Sequence, residues 1–443
     1  MIRYVSLKNY KSLVDLQVDF MRTKTKPKKI VLIYGENGIG KSNFATAFYT
    51  LNETMRTMSS IEYWKKIIED INEAKNMDEK HKSMFEKNFR NNFKDIEMII
   101  KDCKTINSTD NMVMEFGFKC KGKDGIYRIE MNENEIVSES LDYILNKNKT
   151  SFFNITKDKN YINNGIFKDK NYFDEFKELI DKYWGKHSFL SILSYEIEDK
   201  KNGYVKKKIS SSLFDVWFFL KTICTKVKGG NHSEFGTIGS THIKIRDFDR
   251  GKINLKYESE LNKIEEFLNV FFTSISSDIK KVFYIKEKNE KFVKYKLMVK
   301  KLIYNNLVDI DFSLESTGNQ NLLELIPYFI SVCEGQIVII DELDTGVHDL
   351  LVDNILNNLV EYIKGQLIIT THNTMLIESD IKKENIYVFN VNRNAEKMLV
   401  PITNFTGRIH KNINSRKKYL SGVYGGVPIA STIDFDELIE NLE

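Results

Sequence analysis

The sequence has few cysteines and no long apolar run. Its four cysteines, Cys103, Cys120, Cys224 and Cys333, have neither C-x-x-C spacing nor neighbouring histidines, which argues against a zinc site and a disulfide framework. We expect reduced thiols in a cytoplasmic protein. No segment approaches 18 uninterrupted apolar residues, and the N-terminus MIRYVSLKNYKSL lacks an apolar core. We therefore expect neither a membrane span nor an export signal.

A strong excess of one charge is also absent. Lysine and arginine total 66 against 62 acidic residues, so the formal net charge of +4 neither requires nor excludes nucleic acid as a partner. The hydrophobic content of 42% is ordinary for a globular protein and argues against disorder. A chain of 443 residues is long enough for two or three compact units.

Glycine and proline are missing between Lys41 and Phe116, where apolar residues recur at helical spacing. The pattern predicts a helix from about Lys41 and then a helical insertion over residues 53–104. The charges of this insertion alternate in sign, which is typical of a solvated face, with a partner-binding surface as the alternative.

Residues 30–44, IVLIYGENGIGKSNF, combine an apolar strand pattern with the phosphate-loop pattern G-x-x-x-x-G-K-[ST] at residues 35–42, here called the P-loop. Backbone N–H groups of such a loop and the positive end of the following helix bind an anion. We expect Lys41 to reach the β and γ phosphates of ATP and Ser42 to bind Mg²⁺. The predicted nucleotide-binding residues of this stretch are Gly35, Asn37, Gly38, Gly40, Lys41, Ser42 and Asn43.

A second apolar strand, QIVII at residues 336–340, ends in Asp341 and Glu342, here called the carboxylate pair. A phosphate-bound Mg²⁺ needs a carboxylate at the end of a neighbouring strand, which predicts Asp341 as a metal ligand. Glu342 is then the candidate catalytic base for water. A third strand pattern ends in His372, which we expect to sense the γ-phosphate as a catalytic residue alongside Lys41.

Residues 314–320, LESTGNQ, here called the signature segment, open a predicted helix. Ser316 and Gly318 at its N-terminus predict a second anion-binding surface. Two such surfaces in one chain do not easily share one triphosphate. Two copies facing each other head to tail do share it, each completing the site of the other.

The segments GENGIGKS, STGNQ, IVIIDELD and TTHN, in this order, resemble ATP-binding-cassette (ABC) ATPases of the SMC and RecF branch. The resemblance implies that Ser316 and Gly318 contact the partner's ATP and that residues 343–345 form the D-loop, with Asp344 at the nucleotide. SLKNYKSL resembles the N-terminal strand and turn of this branch, which places Lys11 near the nucleotide.

The tail YLSGVYGGVP and the segment YRIEMNENEIVSESL resemble bacterial anti-phage ATPases grouped with AbiLi, AriA and OLD proteins. The sequence departs from the wider family in two places. Thr317 stands where transporters carry glycine, and no glutamine occurs between Gln17 and Gln320 to serve as the Q-loop. Glu135 or Glu139 is the candidate replacement, or the role is missing and hydrolysis is slow.

The predicted fold is α/β: an ABC-type ATPase core with a P-loop, a mixed sheet, an antiparallel N-terminal subdomain and helical insertions. We predict lobe I at residues 1–52 and 105–150 and a helical insertion at 53–104. A helical and loop-rich insertion follows at 151–280, lobe II at 281–395, and a C-terminal tail at 396–443.

The predicted function is an ATPase that uses ATP and Mg²⁺, whose nucleotide state controls closure of a homodimer or higher oligomer. Because the chain ends at Glu443 without room for a nuclease domain, we expect a separately encoded effector, nuclease or toxin, in anti-phage defence. One alternative is a DNA-repair ATPase that clamps DNA, since Lys294, Lys296 and Lys300 share one strand face that either contacts phosphates or faces solvent. The other is a nucleotide-locked structural partner that restrains a toxin.

Overall fold

The computed structural model describes residues 1–63, 94–145, 148–200, 203–228, 234–239, 245–392, 396–405, 414–428 and 439. Two seven-stranded sheets and one four-stranded sheet organise these residues. Part of the predicted 53–104 insertion and part of the predicted C-terminal tail lie outside the described residues.

The sheet that carries the P-loop has the strand order β12-β11-β17-β18-β5-β19-β20, and we call it the core sheet. Its five inner strands, β11 to β19 in this order, are parallel. The outer strands β12 and β20 pair antiparallel with β11 and β19. The strands are β5 (Ile30–Tyr34), β11 (Cys224–Lys228), β12 (Glu234–Thr237), β17 (Ile337–Ile340), β18 (Gln366–Thr370), β19 (Ile386–Val391) and β20 (Lys397–Pro401).

Both faces of the core sheet are covered, which explains why its strands are runs of apolar residues rather than alternating ones. Successive side chains of a strand point to opposite faces. In β5, Val31 and Ile33 belong to one hydrophobic core, and Ile30, Leu32 and Tyr34 to another. The parallel strands are therefore buried from both sides, and only their ends reach solvent.

An antiparallel sheet covers the first face, together with helix α1 (Lys41–Thr54). Its order is β10-β9-β8-β7-β6-β1-β2, so the N-terminal hairpin pairs with strands from residues 112–162. The strands are β1 (Ile2–Tyr10), β2 (Leu13–Asp19), β6 (Met112–Cys120), β7 (Lys123–Met131), β8 (Ile136–Leu145), β9 (Asn148–Thr156) and β10 (Asn160–Ile162). Strands β3 (Met21–Thr23) and β4 (Lys26–Pro27) form a separate hairpin.

Five further helices contribute to the same hydrophobic core as this antiparallel sheet. They are α2 (Ile96–Cys103), α3 (Lys170–Tyr183), α4 (Phe189–Asp199), α5 (Tyr204–Lys208) and α6 (Ser211–Lys221). No helix among the described residues is both long and apolar enough to cross a bilayer.

The second face of the core sheet packs against helices α7 and α8 and a four-stranded sheet, all in the second hydrophobic core. The elements are β13 (Arg250–Asn254), α7 (Glu258–Ile275), β14 (Ile279–Lys288), β15 (Phe292–Ile303), β16 (Asn306–Asp311) and α8 (Thr317–Cys333). Helices α9 (Asp349–Leu359) and α10 (Ser415–Leu420) complete the described helices.

The prediction that residues 151–280 form a helical and loop-rich insertion is wrong for part of this range. Strands β9 and β10 extend the antiparallel sheet, and β11 and β12 extend the core sheet next to β17. Strand β8 pairs with β9, the next strand in the chain. The partner of β11 in the core sheet, β17, lies more than 100 residues away in the chain, so local patterns did not reveal that pairing.

Glu139 does not replace the missing Q-loop glutamine. It lies in β8 with no solvent exposure, and its carboxylate accepts hydrogen bonds from the Tyr127 hydroxyl (2.9 Å), the Trp184 indole (3.0 Å) and the Phe189 N–H (2.7 Å). Glu135 forms an ion pair with Lys157 (2.6 Å). Both acids therefore connect the antiparallel sheet to its own neighbours, and the Q-loop expectation for them is wrong.

Burial raises the pKa of Glu139 to about 7, against the effect of its hydrogen-bond donors. Because the folded-state pKa exceeds the unfolded one, Glu139 contributes stability that is complete below about pH 4.5 and lost as the pH rises through 7. We expect the unfolding free energy of wild type, relative to Glu139→Gln, to fall by roughly 3 kcal/mol over this window. Denaturant unfolding at pH 5, 6, 7 and 8 measures it, with Glu135→Gln as the matched control. Parallel pH profiles for wild type and Glu139→Gln would contradict the prediction.

Candidate nucleotide-binding site

The candidate site lies at the edge of the core sheet where the parallel strands end. The strands β11, β17, β18 and β5 are consecutive neighbours, with Ile340 opposite Ile369 and Thr370 opposite Ile33. Since parallel strands end at the same edge, the residues that follow them share one surface. The P-loop, the carboxylate pair and His372 follow β5, β17 and β18 there.

The P-loop leads directly into α1, whose N-cap is Gly40. No side chain caps this helix, so its first N–H groups remain available to an anion. Gly40 has φ 123°, and a Cβ there would lie 2.9 Å from a Leu13 methyl, so the position requires glycine. Asn37 and Gly38 lie exposed at the tip of the loop.

The Lys41 side chain bends back into the P-loop and is 5% exposed. Its ammonium donates to the carbonyl oxygens of Gly35 (2.8 Å) and Glu36 (3.0 Å). Burial lowers the pKa of Lys41, and the carboxylates of Asp341 and Glu342 oppose this effect. The lysine therefore faces the carboxylate pair across the edge of the sheet.

Asp341 is 4% exposed and is held by the neighbouring strand. Its Oδ1 accepts a hydrogen bond from Thr370 Oγ1 (2.5 Å), whereas Oδ2 is buried with no partner of hydrogen-bond geometry. Burial raises the pKa of Asp341, while the nearby hydroxyls of Thr370 and Ser42 lower it. The structure therefore brings Ser42 and Asp341 together, as predicted for two ligands of one metal.

Glu342 adopts a left-handed backbone conformation, with φ 51°. Its N–H donates to Thr370 Oγ1 (2.8 Å), so this one hydroxyl positions both members of the carboxylate pair. The side chain accepts from Lys228 Nζ (2.6 Å) and Thr345 Oγ1 (3.3 Å). Partial burial raises the pKa of Glu342, but the interactions with Lys228 outweigh it and the net shift is downward.

His372 lies beside the same charges. Its N–H donates to the Asp344 carboxylate (3.1 Å), which connects the strand β18 edge to the D-loop. Desolvation and then the positive charge of Lys41 lower the pKa of His372, against the carboxylates of Asp344, Glu342 and Asp341. The predicted sensor histidine is therefore close to both the P-loop lysine and the carboxylate pair.

The turn between β1 and β2 packs against the P-loop helix through Ser12. Its hydroxyl accepts hydrogen bonds from Asn43 Nδ2 (2.7 Å) and from Lys397 Nζ (2.8 Å). Lys11, one residue earlier, has φ 49°, and its N–H donates to the Cys103 carbonyl (2.5 Å). Lys11 thus lies on the turn that packs against the P-loop helix through Ser12, and its approach to the nucleotide stays a prediction.

The signature segment lies against the D-loop of the same chain. Ser316 is the exposed N-cap of α8, and its hydroxyl accepts from the Asn319 N–H (3.3 Å). A Cβ on Gly318 would lie 2.8 Å from the Gly346 carbonyl oxygen, and Asn321 Nδ2 donates to the Thr345 carbonyl (2.8 Å). Ser316 therefore faces outward, on a surface that a second molecule can reach.

Sequence reasoning missed three polar residues of the site. Thr370 is the last residue of a buried strand, Lys228 ends a five-residue strand, and Lys397 begins the outermost strand. Thr370 opens the TTHN segment but received no role from the sequence, and Lys228 and Lys397 belong to no motif. Only the pairing of β11 with β17, more than 100 residues apart in the chain, indicates that Lys228 contacts the carboxylate pair.

Residues 244–378 match the family model described as "AAA domain, putative AbiEii toxin, Type IV TA system". The matched range holds the signature segment, the carboxylate pair, the D-loop and His372, and the P-loop completes the motif set on the adjoining strand. The match covers less than half of the chain, so it shows a similarity of residues 244–378 to this AAA family. No protein with a curated description matches this chain.

Several solved structures are similar to this chain at low identity. The SMC head domain from Thermotoga maritima is 15% identical, with TM-score 0.37, over 90% of this chain and 98% of that chain. An SMC head domain bound to the C-terminal domain of ScpA, from Pyrococcus furiosus, is 14% identical, with TM-score 0.37, over 90% and 95%. The recombination mediator protein RecF–ATPrS is 11% identical, with TM-score 0.35, over 90% and 98%. These scores are too low to indicate an activity for this chain.

The candidate site has groups that suit ATP and Mg²⁺. The uncapped start of α1 and Lys41 suit a polyphosphate, and the unpartnered Oδ2 of Asp341 with the nearby Ser42 hydroxyl suits a hard cation. Such a cation completes its coordination with water and phosphate oxygens, so two protein ligands are enough.

Proposed function

We propose that the chain binds ATP with Mg²⁺ at the P-loop edge and hydrolyses it in a dimer of head-to-tail ATPase cores. The observation that carries this proposal is the convergence of Lys41, the carboxylate pair and His372 at the ends of three adjacent parallel strands. Lys41 and the start of α1 would bind the phosphates. Ser42 and Asp341 would hold Mg²⁺, which stabilises the charge on the phosphates when bound.

Glu342 would orient and deprotonate the attacking water, since it follows Asp341 and its carboxylate stays ionised beside Lys228. His372 would contact the γ-phosphate from the neighbouring strand, where its pKa is lowered. Gly35, Gly38 and Gly40 would give the backbone its close approach to the phosphates.

The outward-facing Ser316 supports the dimer. An N-terminal helix end with an exposed serine and a glycine seated on the D-loop suits a phosphate from a second molecule. In this arrangement Ser316 and Gly318 would contact the partner's ATP, and Asp344 would lie between the two sites.

A dimerisation test follows from this placement. We expect Ser316→Arg to bind ATP as the monomer but to fail to dimerise in ATP, because a long side chain enters the proposed contact. Mass photometry or analytical ultracentrifugation of Glu342→Gln and Glu342→Gln/Ser316→Arg, with and without Mg-ATP, measures closure. Ser274→Arg, on the exposed face of α7, is the control. Equal dimer fractions for Glu342→Gln and Glu342→Gln/Ser316→Arg in Mg-ATP would contradict the proposed interface. An unchanged mass of Glu342→Gln on adding Mg-ATP would also contradict it.

We further propose a role in anti-phage defence, in which the nucleotide state controls a separately encoded effector. The tail and residues 127–141 support this through their sequence resemblance to anti-phage ATPases, and the matched family is described as a toxin of a type IV system. Phage challenge of cells that carry the native locus, with wild type or Lys41→Met, tests it. Equal plaque numbers for both would contradict the role.

The alternative of a DNA clamp has little support from the predicted lysine stripe. Lys296 forms an ion pair with Asp311 (2.5 Å) and Lys300 with Asp309 (2.7 Å), both on the adjacent strand β16. These carboxylates neutralise two of the three lysines, which favours a solvent-facing side of the sheet over a phosphate-binding surface.

A further inference from the structure

Lys228 brings a second lysine ammonium, besides that of Lys41, to the edge of the core sheet where the candidate site lies. It is the last residue of β11, the parallel neighbour of β17, so it lies at the same edge as the carboxylate pair. Its backbone is fixed there, because the Asp341 N–H donates to the carbonyl of Lys226 (2.8 Å) in the same strand. The position of Lys228 therefore follows from the strand pairing and not from a flexible surface loop.

The ammonium of Lys228 has one N–H without a partner among the described residues. An ammonium has three N–H donors. One donates to Glu342 Oε2 (2.6 Å) and another to Thr345 Oγ1 (2.9 Å). The side chain is 30% exposed, so the remaining donor is accessible. Lys228 is thus able to accept a further anionic partner without leaving Glu342.

A γ-phosphate at this site would be close to Glu342, the candidate base for its hydrolysis. The γ-phosphate would add negative charge beside Glu342, which already accepts a hydrogen bond from Lys228. Where water is partly excluded, these negative charges attract the lysine ammonium strongly. The diphosphate of ADP is one phosphate group shorter and would not reach this end of the site. The lysine is therefore placed to distinguish ATP from ADP.

We propose that Lys228 binds the γ-phosphate of ATP and, before ATP binds, holds Glu342 in place. This inference rests on the proposed ATP binding. Lys228 occupies the strand end that flanks the carboxylate pair, in a chain whose sequence lacks a Q-loop glutamine. Lys228 therefore provides a charged ligand for the terminal phosphate at the end of β11.

The test measures binding rather than turnover. Isothermal titration of the full chain with Mg²⁺ and either ADP or a non-hydrolysable ATP analogue compares wild type with Lys228→Met. We expect the analogue to bind about tenfold or more weakly to the variant and ADP affinity to change by less than about threefold, since only the analogue loses a charge-assisted hydrogen bond. Lys226→Met is the matched control, because Lys226 lies two residues earlier on β11 and pairs with Glu324 (3.0 Å).

The outcomes separate this inference from the proposed function. Wild type that binds neither nucleotide overturns the proposed function itself. Wild type that binds both, with Lys228→Met weakening both equally or neither, overturns only the role of Lys228. Lys228→Ala, a second substitution that removes the ammonium, is expected to reproduce the selective loss if the methionine variant folds poorly.

Discussion

A Lys41→Met protein is expected to bind Mg-ATP about 100-fold or more weakly than wild type, because two charge-assisted hydrogen bonds to phosphate contribute about 1.5–3 kcal/mol each. Methionine retains most of the buried aliphatic stem and removes only the ammonium. Lys41 Nζ now donates to the carbonyls of Gly35, which is buried, and of Glu36, which is half-buried. Because methionine keeps the packing of the stem, we expect a larger loss in binding than in folding.

Titration of a fluorescent ATP analogue measures this affinity. Lys29→Met is the matched control. Lys29 lies one residue before β5, and its ammonium also donates to a backbone carbonyl, that of Ile363 (2.7 Å). ATP affinity of Lys41→Met within a factor of about three of wild type would exclude the P-loop as the nucleotide site.

The second large effect is expected for Glu342→Gln, which should lower the rate of ATP hydrolysis by about 100-fold or more while ATP still binds. Glutamine has the same shape and retains the left-handed backbone at this position, and its amide oxygen still accepts from Lys228. It lacks a carboxylate to deprotonate water. ATP-bound dimers should then accumulate.

Phosphate release with saturating ATP measures the rate, and the mass in ATP measures the dimer. Glu324→Gln, an acid whose partner is Lys226, is the control for general charge effects. Wild-type turnover in Glu342→Gln would contradict a base at this position. If wild type and variant both bind ATP without turnover, the nucleotide-locked partner becomes the better description.

Much of the site was predictable because its motifs combine local chain geometry with local chemistry. The P-loop, the strand before it and the start of the helix after it lie together in residues 30–44. The carboxylate pair directly follows an apolar strand. Neither requires knowledge of distant contacts. The α/β class and the apolar strands β5, β17 and β18 followed from the same patterns, whereas their parallel pairing is seen only in the structure.

Long-range pairing explains what the sequence did not show. Strand β11 has five residues, two of them lysines, and only its register with Val338, Ile339 and Ile340 makes it part of the core sheet. From the sequence, Glu135 and Glu139 are both candidates to replace the missing glutamine. The three donors to Glu139 come from β7, from Trp184 directly after α3, and from α4, and no local pattern reports such a set.

The close contact between Gly318 and Gly346 bears on the relative timing of ATP hydrolysis at the two sites of a dimer. A methyl group does not fit between them, so the tip of α8 and the D-loop form one rigid unit, joined further by Asn321. In a closed pair of molecules, a push on Ser316 from a neighbour's triphosphate would tilt Thr345 and, through it, Glu342. ATP binding in one molecule would then change the position of the catalytic glutamate in the other, so hydrolysis at the two sites would be coupled in time.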